Sequence, residues 1–296
     1  IYHGANICPS YLPRMYDGHS LQVLSQTAQT MYSVIEKILL AYKNDPEFRK
    51  LFSFDPRLEE LMLLPQPYNS LLPICRIDLF LDEETDGVNF CEFNADGSSG
   101  MNENREVLGA ISESAPFKEF AQRHSMEDDN DRLFEGWIDE FLRIYHSCNG
   151  AVDSPHVAII DYLGNSILGE FNEYVRRFEA RGIRTSIIDI RKLRYENGVV
   201  YGTEAEVGYS NLPIDVAWKR CVASDVIEHW DESDAFLDAV RDGALITIGN
   251  FLGHVMHDKQ IFRVLHDPHA LAILTEEEQA FVKQVIPYTA LLDGRD

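Results

Sequence analysis

Charged and amide side chains alternate with apolar ones in the stretch CRIDLFLDEETDGVNFCEFNADGSSG, residues 75–100. Its first apolar segment carries Arg76 and Asp78, and its second carries Glu92, Asn94 and Asp96. Because side chains of a β-strand alternate between its faces, each set is expected on one face of its own strand. Carboxylate and amide oxygens are ligands that Mg2+ accepts, and a guanidinium stabilises developing negative charge. The spacing therefore predicts a polar face able to bind a metal ion or an anionic reacting group.

The register of these two strands decides whether the two sets of side chains meet. A turn over residues 83–87 sets Asp78 opposite Glu92 and Arg76 opposite Asn94, so that all four share one face. A solvent-facing hairpin with merely exposed acids is the alternative. The flanks PICRIDLFL and VNFCEFNA are largely apolar on both faces, as in a covered hairpin, where charges need a partner or a metal. We therefore expect a Mg2+ site with Arg76 beside it and with Cys75 and Cys91 facing away, in the core.

The surrounding elements indicate a mixed α/β chain with three consecutive parts. Residues 1–150 combine a long amphipathic helix, with apolar residues at helical spacing from Leu21 to Tyr42, with the hairpin and further helices. Residues 151–245 contain the buried-strand patterns HVAIIDYL, RTSIIDI and IDVAWKR, alternating with helical segments, which predicts a Rossmann-like domain. Residues 246–296 contain GHVMHDKQIFRVL and a helix that opens with a capping box from Thr275 to Glu278.

Composition limits the class of partner. The chain has 296 residues, 45% of them hydrophobic, and a formal net charge of -23. This charge argues against nucleic acid and anionic membranes as partners, and no apolar run approaches the length of a membrane span. Five cysteines without CxxC spacing, and an N-terminal sequence unlike a signal peptide, predict reduced thiols in a cytoplasmic protein. The pairs His254/His257 and His266/His269 lack a convincing third zinc ligand and are interpreted as packing or surface histidines.

The segments RID and EFNAD resemble the circularly permuted ATP-grasp ligases, of which glutathionylspermidine synthase is the best-known member. That family has an R-x-D strand and an E-x-N-x-D strand joined by a short loop. The resemblance implies that Arg76 stabilises a phosphorylated reacting centre and that Asp78, Glu92 and Asn94 hold Mg2+ with ATP. It also implies an ATP-grasp-like lobe that carries the metal site, followed by a Rossmann-like pre-ATP-grasp domain.

The resemblance extends to two further groups of residues. The segment GHVMHDKQIFRVL is similar to the nucleotide-binding lysine segment of the family and makes Lys259 a candidate ligand of the ATP phosphates, a solvated surface lysine being the alternative. The loop that carries Asp96, Ser98 and Ser99 lies where the family contacts its acyl substrate. A simple turn is the alternative for this loop, since DGSSG is rich in turn-forming residues.

Two functions from different classes are compatible with these observations. The first is an ATP-dependent carboxylate-amine ligase, which forms an amide or peptide bond through an acyl phosphate. The second is a non-catalytic ligand-binding or assembly module derived from such a ligase. The family continues beyond a segment like QVIPYTALL into a second phosphate-binding lysine and a glycine-rich loop, and neither occurs before Asp296. We therefore expect either that the sequence is part of a longer protein or that the second nucleotide lobe is incomplete. Residues 1–296 alone are expected to bind MgATP weakly or not at all and not to turn it over.

Overall fold

A computed structural model describes residues 12–164 and 168–291. Its helices are α1 (Gly18–Asn44), α2 (Pro46–Arg49), α3 (Pro56–Leu63), α4 (Met101–Ser112), α5 (Ala115–Ala121), α6 (Asn130–His146), α7 (Leu168–Ala180), α8 (Ala223–Glu228), α9 (Asp234–Arg241), α10 (His254–His257), α11 (Gln260–Val264), α12 (Pro268–Ala272) and α13 (Glu276–Val285). Its strands are β1 (Arg76–Asp82), β2 (Gly87–Asn94), β3 (His156–Asp161), β4 (Arg184–Asp189), β5 (Leu193–Glu196), β6 (Val199–Gly202), β7 (Ala205–Val207), β8 (Val216–Lys219) and β9 (Ile246–Ile248). None of the described helices combines the length and apolar composition needed to cross a membrane.

The described chain divides into two compact units. The sheet unit contains residues 99–248 together with residues 12–15, and the hairpin unit contains residues 16–98 and 249–291. The predicted part comprising residues 1–150 is therefore split between the two units. The reason is packing, because β2 contacts α10 and α13 from the end of the chain, and buried apolar contact rather than sequence order decides which segments form one core.

Four parallel strands form the centre of the sheet unit. The strand order is β7-β4-β3-β8-β9, with β7 antiparallel to β4 at one edge. Strands β3, β4 and β8 coincide with the three predicted buried strands, and their apolar runs follow from burial of both faces of a parallel sheet. Strand β9 pairs with β8 and extends the Rossmann-like sheet past position 245, where the sequence analysis ended it.

A small antiparallel hairpin of β5 and β6 accompanies this sheet. Its predicted turn at Asn197-Gly198 is confirmed, because both residues have positive φ angles, 53° and 79°, and connect Glu196 directly to Val199. Two consecutive residues with positive φ are the requirement of a type I′ turn, and the Asn-Gly dipeptide satisfies it at low cost.

The long helix α1 forms the core of the hairpin unit. It begins after Asp17, whose side chain accepts a hydrogen bond from the Ser20 amide, and its buried positions follow one helical face. The fully buried apolar residues on this face are Met31, Val34, Ile35, Ile38, Leu39 and Tyr42. The capping box from Thr275 to Glu278 is also present, at the start of α13. Glu278 joins α13 to α1 through Lys37 and Ser33, whose side chains both donate to its carboxylate.

Candidate functional site

The register of the β1-β2 hairpin brings the predicted polar residues together. Asp78 pairs with Glu92 and Arg76 pairs with Asn94, as the sequence analysis expected. Residues directly opposite each other on antiparallel strands point to the same face, and so do residues two apart on one strand. Arg76, Asp78, Glu92 and Asn94 therefore lie on one face of the hairpin.

A β-bulge that was not predicted from the sequence produces this register. The predicted turn included Gly87, but Gly87 pairs with Asp82, and the loop is one residue shorter. The register then shifts between Leu79 and Asp78, so that Cys91 is the extra residue on β2. The bulge compensates for the shorter loop and restores the pairing of Asp78 with Glu92. A consequence is that Cys91 is exposed, so the expectation that it lies in the core is wrong.

Arg76 and Asp78 form a bidentate ion pair on this face. The Nε atom of Arg76 lies 2.8 Å from Oδ1 of Asp78, and Nη2 lies 3.2 Å from Oδ2. The two side chains retain 44% and 38% of their exposure, so the pair is screened by water and contributes at most about 1 kcal/mol to stability. Both groups therefore remain accessible to a ligand that competes for them. Burial raises the pKa of the neighbouring Cys75 thiol to about 12, which keeps this sulfur protonated and unreactive.

Lys259 lies close to the same face. It follows α10 and precedes α11, and its Nζ atom is 3.6 Å from Oε2 of Glu92. Its side chain is 68% exposed, whereas that of Glu92 is 32% exposed. The structure thus places the predicted phosphate-binding lysine next to one of the predicted metal ligands, with its ammonium group largely open to solvent.

The donor set fits a magnesium ion that keeps some of its water or phosphate ligands. Asp78 and Glu92 present partly exposed carboxylates from facing positions, and Asn94 is buried with no hydrogen-bond partner for its Nδ2 atom. Rotation of that amide by 180° presents its oxygen instead, since the two assignments differ only in hydrogen bonding. The described residues contain no cluster of three or more His, Cys, Asp or Glu side chains suited to a metal. Two carboxylates and an amide suit Mg2+, which binds few protein ligands and retains others from solvent or phosphate.

The predicted substrate loop is divided between buried and partly exposed residues. The Asp96 carboxylate is fully buried and lies 3.0 Å from Nδ1 of His254. Ser98 and Ser99 are partly exposed and follow it in the segment that leads to α4. In this arrangement the Asp96 side chain is buried, whereas solvent reaches both serines of the loop.

The Asp96–His254 pair is a feature that sequence reasoning missed. The two residues are separated by 158 positions, and the histidine spacing gave no indication of its carboxylate partner. The neighbouring Gly253 makes the close approach possible, because a Cβ atom there would lie 2.3 Å from the carbonyl oxygen of Ala95. The glycine permits α10 to approach the end of β2 more closely than any other residue would allow.

An open groove runs along β1 beside Asp78. It has a volume of about 620 Å3 and is lined by Tyr16, Leu24, Ala28, Ile77, Asp78, Leu79, Phe80 and Cys91. Most of these side chains are apolar, and Phe80 is 70% exposed. The polar face of the hairpin therefore borders a largely apolar surface within the same unit.

Comparison with known proteins gives a similarity in structure alone. No family model matches the sequence, and no curated protein matches it. The apo structure of a glutathione synthetase-like effector from Globodera pallida superposes with a TM-score of 0.53 at 13% sequence identity, over 92% of this chain. The chain has a glutathione synthetase-like fold. The mixed α/β class predicted from the sequence is confirmed, and the chain spans 60% of the length of that effector.

Proposed function

We propose that this protein is an ATP-dependent carboxylate-amine ligase of the circularly permuted ATP-grasp type, similar to glutathionylspermidine synthase. The observation that carries the proposal is the single hairpin face on which Arg76, Asp78, Glu92 and Asn94 lie together, with Lys259 next to Glu92. One strong cation, three oxygen ligands and a lysine match the needs of phosphoryl transfer, where catalysis rests on positioning and electrostatics.

In the proposed reaction, the γ-phosphoryl group of ATP passes to a substrate carboxylate and ADP leaves. An amine then attacks the acyl carbon, and phosphate and a proton leave as the amide forms. Asp78, Glu92 and Asn94 would hold Mg2+, which supplies positive charge against the phosphate oxygens when bound. The guanidinium group of Arg76, which now binds Asp78, can instead bind the reacting acyl phosphate, because Arg76 and Asp78 are both partly exposed. Lys259 provides an exposed ammonium for the ATP phosphates.

Substrate contacts are proposed for the loop after β2. Ser98 and Ser99 are accessible and would hydrogen-bond the acyl substrate, whereas the buried carboxylate of Asp96 would act by fixing the start of this loop. The net charge of -23 argues against nucleic acid as a partner, and the proposed substrates are a small-molecule carboxylate and an amine. A cytoplasmic location, where ATP and Mg2+ are abundant, is part of the same proposal.

A non-catalytic binding module is the second candidate, and the charge balance of the hairpin favours it. Asp78 is paired with Arg76 and Glu92 lies near Lys259, so each carboxylate already has a cation without any metal. A protein that had lost catalysis could retain such a hairpin as a structural element.

Calorimetric titration with MgATP separates the two functions. The ligase predicts that MgATP binding by the longest available form of the protein weakens at least about tenfold in Asp78→Asn and in Glu92→Gln. It also predicts ADP release that depends on a carboxylate and an amine from a panel of amino acids and peptides. Glu84→Gln, in the loop of the same hairpin, serves as the matched control and should bind normally. Nucleotide binding that is absent from the wild-type protein, or unaffected by both substitutions, would favour the binding module.

A further inference from the structure

We propose that His254 is a positioning residue that places Lys259 beside Glu92 by anchoring the segment between them to buried Asp96. The inference rests on the proposed function for its consequence, nucleotide binding, but its structural claim concerns only residues of the hairpin unit. Among the described residues, no hydrogen bond or ion pair joins His254 to Asp78 or Glu92, and in this proposal His254 acts through the stretch of chain that leads to Lys259.

The anchor is a buried carboxylate-imidazole pair. The Asp96 side chain is fully buried, that of His254 is 11% exposed, and Nδ1 of His254 lies 3.0 Å from Oδ2 of Asp96. When the carboxylate is ionised it can only accept, and Nδ1 of His254 is then the donor of this hydrogen bond. Removal of either partner takes a hydrogen bond away from a buried polar group, which is more costly than loss of an exposed pair.

Close packing fixes the same segment at a second point. Gly253 lies against the carbonyl of Ala95, where a Cβ atom would approach the oxygen to 2.3 Å, and its amide donates to the side chain of Asn250. The ring of Phe54 lies edge-on to the His254 ring, with centroids 5.7 Å apart. Residues 253 and 254 are thus held against residues 95 and 96, directly after the strand that carries Glu92.

The position of Lys259 follows from this anchor. Helix α10 makes a single turn in which the Asp258 amide donates to the His254 carbonyl at 3.0 Å, and Lys259 is the next residue. The Lys259 side chain is 68% exposed, and the ion-pair partner found for it among the described residues is Glu92, at 3.6 Å. A long exposed side chain has little packing to restrain it, so its placement depends on where its backbone is held.

The chain offers a matched control for this pair. His269 and Asp267 also interact through Nδ1 and Oδ1 at 3.0 Å, but the His269 side chain is 80% exposed and the pair lies beside α12. Replacement of His269 removes the same kind of hydrogen bond without disturbing the segment that leads to Lys259.

The first experiment tests the structural claim without nucleotide. Lysines are dimethylated with 13C-formaldehyde, and the NMR signal of the labelled methyl groups on Lys259 is assigned by its loss in Lys259→Arg. In otherwise wild-type protein, Glu92→Gln should shift this signal, and in His254→Ala the same substitution should no longer shift it. His254→Asn, which keeps a donor near Nδ1, should restore the shift, and His269→Ala should leave it intact. A Glu92-dependent shift that persists in folded His254→Ala protein would overturn the inference.

The second experiment connects the anchor to nucleotide binding through a double-mutant cycle. We expect Lys259→Ala and His254→Ala each to weaken MgATP binding about tenfold and the double variant to bind no more weakly than Lys259→Ala alone. Additive losses would contradict action through Lys259. If the longest form of the wild-type protein does not bind MgATP, the proposed function fails, while the Lys259 signal still decides the role of His254. If His254→Ala does not fold, Asp96→Asn is used in both experiments in its place.

Discussion

At the residue scale, the hairpin face is balanced in charge but accessible. Arg76 and Asp78 are each more than one third exposed, and Lys259 is more exposed still. Exposed pairs of this kind exchange partners at small cost, because water screens the attraction. In the proposed function, a bound phosphate group would draw Arg76 and Lys259 away from their carboxylates, and these would then be free to bind a cation.

Replacement of Arg76 by lysine tests whether its planar fork matters. Lysine keeps the charge but cannot donate two parallel hydrogen bonds, so we expect ligase turnover to fall by at least about tenfold while the melting temperature is unchanged. Single-turnover measurement of ADP formation provides the readout. Arg57→Lys is the control, because Arg57 also binds an aspartate two residues away, with 43% and 35% exposure of the two side chains. Equal rates for Arg76→Lys and wild-type protein would show that Arg76 is structural.

At the element scale, one carboxylate connects helices α1 and α13 of the hairpin unit. Glu278 completes the capping box of α13 and accepts hydrogen bonds from Lys37 and Ser33 of α1. Burial acts to raise the pKa of Glu278, but the hydrogen bonds from Lys37, the Thr275 amide and Ser33 outweigh it and lower the pKa to about 2. The ionised carboxylate is therefore the form that holds α13 against α1.

This lowered pKa predicts a pH dependence of stability. Because the pKa of Glu278 in the folded protein lies below the ordinary value of 4.5, its contribution to stability is fully present above about pH 5. This contribution is lost as pH falls towards about 2. With solvent screening, we expect Glu278 to contribute on the order of 1–2 kcal/mol to the unfolding free energy at neutral pH. Urea unfolding between pH 7 and pH 3 measures it. Glu278→Gln should flatten the dependence of the unfolding free energy on pH in this range, whereas Glu277→Gln, at an exposed neighbour, should not. Identical pH dependences for Glu278→Gln and wild-type protein would contradict the assignment.

At the scale of the whole molecule, the two units differ in how the chain builds them. The strands of the five-stranded sheet and helices α4 to α9 all lie in the continuous range 99–248. The hairpin unit needs two distant ranges, 16–98 and 249–291, because the apolar side of β2 is covered by helices from the second range. Local and contiguous contacts require less loop closure than contacts between distant segments.

This difference predicts that the two units differ in their ability to fold as separate fragments. A fragment of residues 99–248 should fold by itself, with a cooperative thermal transition and a dispersed amide NMR spectrum, because it contains its own buried sheet and the helices that cover it. A fragment of residues 16–98 should not, since β2 would lose α10 and α13. A disordered spectrum for residues 99–248 would show that the sheet unit depends on other parts of the chain.

Local sequence was sufficient where the determinants are close together in the chain. The apolar runs of β3, β4 and β8, the Asn197-Gly198 turn and the capping box of α13 were all predicted, because periodicity, positive φ and helix capping act over a few residues. The pairing of Asp78 with Glu92 was also predicted, although the sequence indicated a longer loop in place of the bulge at Cys91. A bulge depends on how the strand packs, and its residue type carried no signal.

Tertiary structure decided which distant groups meet. The buried pair of Asp96 and His254, the proximity of Lys259 to Glu92 and the division of the first 150 residues between two units all join positions far apart in the chain. No periodicity reports such contacts, because they arise when separate apolar faces are buried together and polar groups in that interior must find partners. Local sequence thus defines the helices, the strands and the polar face of the hairpin. Burial of apolar surface in the hairpin unit decides which distant residues, such as Lys259, lie next to that face.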